Sequence, residues 1–142
     1  MASNPPGFRI AALNDATSSS AADCAVRVFG SVGTADATVT DVISYKIPPG
    51  SYVYTCHVSA ANDTAAGSDA AFVINGQFTV SAAGACSEVA AQDLVAFKHA
   101  GVAASGAAID GTVAFTIKVQ VVGIAATEIR WRAVMTLISA GA

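Results

Sequence analysis

Three cysteines and two histidines are the side chains in this 142-residue sequence best suited to chemistry. Neither His57 nor His99 has a partner at a recognisable zinc spacing. Cys56 and His57 are adjacent, and neighbours on a strand point to opposite faces, so the two cannot close on one ion. Both histidines read instead as ordinary surface or interface residues, with a pH-sensitive interface contact at His57 as the alternative. Cys24, Cys56 and Cys86 are odd in number, widely spaced and preceded by no export signal, which does not describe a disulfide scaffold. They are expected to be small buried hydrophobes, with a single pair such as Cys56–Cys86 left open.

The other candidates for chemistry are weaker still. The loop "NDTAAGSD" offers Asn62, Asp63 and Asp69 to a hard cation but lacks the calcium-loop pattern, so a solvated loop is expected. Its Asn62-Asp63-Thr64 triplet fits a glycosylation acceptor, which means nothing without export. Ser105 in "ASGAA" lacks the second glycine of a nucleophile elbow, and no phosphate-cradling glycine motif occurs. No catalytic residue, cofactor or metal is therefore predicted, and the protein reads as non-enzymatic.

What remains is a surface to be packed. Apolar residues alternate at Val113, Phe115, Ile117, Val119 and Val121, and again at Ile129, Trp131, Ala133, Met135 and Leu137. Trp131 is in phase with Ile129 and Met135 and is expected in the core. Arg130 and Arg132 share the opposite face, where a charge must meet water or an acidic partner. In "SYVYTCHVSA", Tyr52, Tyr54, Cys56 and Val58 share one face and Val53, Thr55, His57 and Ser59 the other. Tyr45, Tyr52 and Tyr54 flank the Pro48-Pro49-Gly50 turn and are the aromatics expected to be exposed. Arg130, Arg132, His57, Tyr52 and Tyr54 are the subunit-interface candidates.

The elements that carry these residues are short strands. "CAVRVFG", "VTDVISYKI", "SYVYTCHVSA", "AFVINGQFTVSA" and "EVAAQDLVAFKHA" are predicted strands, with Asn75-Gly76 a tight turn or bulge. "SVGTADAT", "ANDTAAGSDA" and "GVAASGAAIDG" are predicted loops. No helical period stands out, so the expected fold is all-β: an antiparallel β-sandwich, jelly-roll-like, over residues 24–142. Residues 1–23 form an extended N-terminal arm, with Asn4-Pro5-Pro6-Gly7, an apolar island "FRIAAL" and a serine-rich tether. Pro5, Pro6, Phe8, Ile10 and Leu13 are expected to anchor that arm on a neighbour.

Composition narrows the partners. Charged residues are 12% and apolar ones 54%, mostly small, so much of the surface is expected to be covered by something. A net charge of -3 with only Arg130 and Arg132 close together argues against nucleic acid. No apolar run approaches a membrane span and no signal peptide is evident, so a soluble product made in a cytosol is expected.

From about Ala37 to Ile138 the sequence resembles a small β-sandwich module of tailed double-stranded DNA bacteriophage virions. The resemblance is carried by "DVISYKIPPGSYVYTCHVSA", "GSDAAFVINGQFTVSAAGA" and "GTVAFTIKVQVVGIAATEIRWRAVMTLI". The three cysteines depart from that pattern. It implies a capsid decoration (cement) protein on the outer surface of the head, assembled in the host cytoplasm. Such a protein binds the major capsid protein as a homotrimer and braces the lattice. The alternative is a tail, head-fibre or receptor-binding module that recognises a host surface glycan through loops such as 61–70 and 99–111.

Overall fold

The computed structural model describes residues 8–11, 25–62 and 69–139. They form an antiparallel two-layer sandwich of ten strands. In chain order these are β1 (Phe8–Ala11), β2 (Ala25–Thr34), β3 (Val39–Lys46), β4 (Gly50–Ala61) and β5 (Ala70–Val80). Then follow β6 (Cys86–Glu88), β7 (Asp93–Lys98), β8 (Gly106–Asp110), β9 (Thr116–Val122) and β10 (Ile129–Ser139). The larger sheet runs β1-β2-β10-β4-β5, and β6 and β7 both pair with β5 along its far edge. The smaller sheet runs β3-β9-β8. Within β1, Phe8 and Ile10 stand in register with Val28 and Val26, while Pro5, Pro6 and Leu13 lie outside the described residues.

Period-two patterning builds the core directly. β10 buries Ile129, Trp131, Ala133, Met135 and Leu137, and β4 buries Tyr54, Cys56, Val58 and Ala60 against them. Phe72, Ile74 and Phe78 of β5 continue that layer, and Ile117, Val119 and Val121 of β9 close it from the opposite sheet. Full burial of each large side chain contributes about 1.5–3 kcal/mol, which makes this layer the main source of stability.

Two local features let the sheets meet. The β3–β9 register slips between Asp41 and Ile43, so that consecutive residues Val42 and Ile43 are both buried. The Val42 carbonyl there lies so close to Gly30 of β2 that any Cβ at position 30 would collide with it. At the end of β2, the Trp131 indole N–H donates to the Thr34 hydroxyl at 2.9 Å, with both residues buried. The Trp131 ring also stacks on Phe72, with centroids 6.1 Å apart.

The structure departs from the sequence expectations at several points. Asn75-Gly76 is neither turn nor bulge, because β5 runs through it in unbroken register with β4. The glycine is needed instead because the Tyr54 hydroxyl occupies the space of its side chain. A 3₁₀ turn, Ala100–Val102, overlaps the start of the predicted loop "GVAASGAAIDG", which also contains the strand β8, held by pairing with β9. Likewise β2 extends through Ser31–Thr34, expected as loop, because β10 pairs with it throughout. The alternation at Val113 and Phe115 is not a strand. Phe115 has a left-handed φ of 54°, fixed by hydrogen bonds from its N–H to Gly84 and from Ile47 to its carbonyl.

Gly30→Ala is expected to lower unfolding free energy by about 1–3 kcal/mol, through overpacking against backbone. Thr34→Val keeps the shape but strands a buried indole N–H, at a cost of about 1–3 kcal/mol. Denaturant titration followed by the fluorescence of Trp131, the sole tryptophan, measures both.

Candidate functional site

The chemistry-bearing residues are dispersed. Cys56 is fully buried in β4 and Cys86 is half-buried in β6, and both are free thiols, so the Cys56–Cys86 pair is not formed. Burial pushes the Cys56 thiol up to about 12. Cys24 lies outside the described residues, as do Asp63 and Thr64. Among the described residues no group of three His, Cys, Asp or Glu could hold a metal ion.

Among the concave regions of the described residues, two lie near chemistry-bearing side chains. One, of about 220 Å³, lies between the sheets and is lined by Cys86, Glu88, Asp110 and Thr112 among others. Its polar groups are largely spoken for: Glu88 accepts from the Tyr54 hydroxyl at 3.0 Å, and Asp110 from Thr112 at 2.9 Å. Its volume is below the roughly 300–1,000 Å³ of small-molecule sites.

The other, of about 490 Å³, is a corner where the ends of β5 and β7 meet, lined by Asp69, Ala70, Ala71, Phe97, Lys98 and His99. Reciprocal contacts fix its frame. The His99 N–H donates to the Asp69 carbonyl at 3.1 Å, and the Asp69 N–H donates to His99 Nδ1 at 3.2 Å. That second bond leaves the imidazole Nε2 as the ring atom able to meet a ligand. Lys98 is held by the carbonyls of Ala103 (2.7 Å) and Ser105 (3.0 Å), with its ammonium 5.9 Å from the centre of the Phe72 ring. Phe97 stands beside them 63% exposed. An exposed aromatic face with carboxylate and imidazole at its edge suits a polyhydroxylated ligand, whose C–H faces stack while its hydroxyls hydrogen-bond.

The sequence-predicted candidates fall on both sides of the sheet. Arg130, Arg132 and His57 are exposed on the outer face of the larger sheet. Tyr54 is 1% exposed and cannot be an interface contact: it points inward in phase with Cys56, as its strand position dictates. Burial and the neighbouring Glu88 raise its phenol well above the usual range. Tyr52 is half-buried, stacked on Phe78 at 5.5 Å, with its hydroxyl donating to the Pro48 carbonyl at 2.8 Å. The corner itself was legible only as two loops. That Phe97 stands beside Asp69 follows from the β5–β7 register, which pairs Ala71 with Phe97.

No protein-family model and no curated protein matches the chain. Among solved structures it is similar to the tailspike gp49 of Acinetobacter baumannii bacteriophage Fri1, a capsular polysaccharide depolymerase. That match has 10% identity over 96% of this chain and 22% of that one, with a TM-score of 0.46. The tailspikes of Acinetobacter phage vB_ApiP_P1 and Acinetobacter baumannii phage AM24 match 82% of this chain at 14% and 9% identity, with TM-scores of 0.32 and 0.35. The chain spans 21% and 27% of those two proteins.

In a Cys24→Ser/Cys86→Ser background, Cys56 is expected to resist maleimide in the folded protein at pH 8 and to react on unfolding. The stability held by its neutral thiol is present below the unfolded value near 9 and is lost as pH rises toward about 12. Rapid labelling of native Cys56 at pH 8 contradicts this.

Proposed function

We propose that the chain is a non-enzymatic module of a tailed-phage virion that recognises a bacterial surface glycan. The observation that carries the recognition step is the corner of Asp69, Phe97 and His99, which joins the two loop regions singled out from sequence for such a role. Phe97 supplies the stacking face, Asp69 an acceptor and His99 a ring nitrogen. The virion setting rests on the sequence resemblance of residues 37–138. Capsid decoration is the second reading, favoured by the broad outer face of the larger sheet, where exposed apolar side chains such as Phe29, Val53 and Ile138 lie among Arg130 and Arg132.

One pair of experiments separates them. The purified protein is applied to an array of bacterial surface polysaccharides and, separately, titrated onto empty phage heads. Glycan recognition requires specific retention that Phe97→Ala weakens roughly thirtyfold, the loss typical of an aromatic anchor. Saturation of heads at a fixed copy number, with no glycan retained, establishes decoration instead.

A further inference from the structure

The sandwich has two outer faces, and they differ in chemistry. On the smaller sheet, Asp41, Ser44, Lys118, Gln120 and Asp110 face outward. Lys118 contacts Asp41 at 2.9 Å, and Gln120 donates to the same carboxylate at 2.8 Å. These contacts hold the Asp41 carboxyl below the usual carboxylate range, as befits a solvated face. On the larger sheet the outward side chains include the apolar Phe29, Val53, Val95 and Ile138, each 42–44% exposed, together with the charged Arg27, Arg130, Arg132 and Asp93.

The strand registers order that outer face into rows. One row reads Phe29–Val134–His57–Val73–Val95 across β2, β10, β4, β5 and β7. The row below reads Arg27–Thr136–Thr55–Asn75–Asp93, and its register continues onto Arg9 of β1. That row has a cation at one end, an anion at the other and only neutral polar residues between. β4 lies at its middle.

We propose that this face is a self-complementary interface with a second copy of the chain, related by a twofold axis running along β4 between two facing sheets. Such an axis lays β2 of one copy over β7 of the other at the same level. Arg27 then meets the second copy's Asp93, Phe29 meets its Val95 and Val134 meets its Val73, while Thr55 and His57 each meet their own equivalents and Arg132 meets Ala71. Isologous pairing requires a patch that matches itself reversed; the Arg27–Asp93 row does so in charge, and the Phe29–Val95 row does so in apolarity on either side of His57. Aligned packing of two twisted sheets is the ordinary geometry of sheet-on-sheet contact. Five strands by four such rows cover roughly 600 Å² per copy, taking about 4.8 Å between strands and 6.8 Å between rows. That gives a total near the lower end of stable interfaces, about 1,200 Å². The Asp69–Phe97–His99 corner lies at the rim, opposite Ser31 and Gly33, the smallest outward residues of β2. The inference does not depend on what that corner binds.

Charge reversal and its rescue provide the test, read by multi-angle light scattering and sedimentation over a concentration series. The unmodified protein is expected to dimerise. Arg27→Asp and Asp93→Arg should each weaken the dimer roughly tenfold or more, because each brings like charges together. The double variant, Arg27→Asp with Asp93→Arg, should restore it. Both residues are exposed, and circular dichroism melts verify that each variant remains folded. A monomer at all concentrations, a trimer, or a dimer indifferent to both reversals overturns the proposal. Loss of glycan retention in a Phe97→Ala variant that still dimerises bears on the corner alone.

Discussion

The buried indole N–H of Trp131 is the constraint on which the rest of the sandwich depends. A tryptophan can be wholly desolvated only if its one polar atom finds a partner, and here the partner is Thr34 at the end of β2. That bond fixes β2 against β10 at one end of the larger sheet. The same threonine holds the connection from β9 to β10 close, because its side chain packs where a Cβ at Gly123 would have to go. Stacking on Phe72 carries the same constraint across β4 to β5, and so toward the edge where β7 and the corner stand.

The second constraint is the distance between the layers. Small side chains permit a thin sandwich, and at Gly30 the Val42 carbonyl lies where a Cβ would have to go. The bulge at Val42 and Ile43 compensates by sending two consecutive apolar side chains inward where β3 would otherwise present one. A thin core stabilises less per strand than a thick one. The larger sheet nevertheless leaves Phe29, Val53, Val95 and Ile138 outside it. The same economy of bulk that shapes the interior therefore leaves the protein with one outer face that water covers poorly. Polar chemistry sits at the ends of strands instead, where backbone groups released from the ladder, such as Asp69 N–H and its carbonyl, hold a side chain in place.

Period-two alternation in β4 and β10 was enough, from sequence alone, to specify an all-β antiparallel sandwich, an inward Trp131 with Arg130 and Arg132 opposite it, and Tyr54 and His57 on opposite faces of β4, because strand parity is a local property. It could not specify which strands pair. Gly76 read as a turn because its true reason, the Tyr54 hydroxyl beside it, comes from another strand. β8 read as a loop because its alanines and glycines carry no alternation of their own and are ordered by β9. Phe115 kept the apolar beat yet left the strand, since hydrogen bonds to Gly84 and Ile47 set its backbone. Tyr54 was placed on the correct face but read as exposed, because sequence cannot say which face is covered. The row from Arg27 to Asp93 and the corner at Phe97 likewise exist only through register. β2 and β7 are far apart in the chain, and their alignment follows from the pairings of β2 with β10, β10 with β4, β4 with β5 and β5 with β7, which no single strand's pattern encodes.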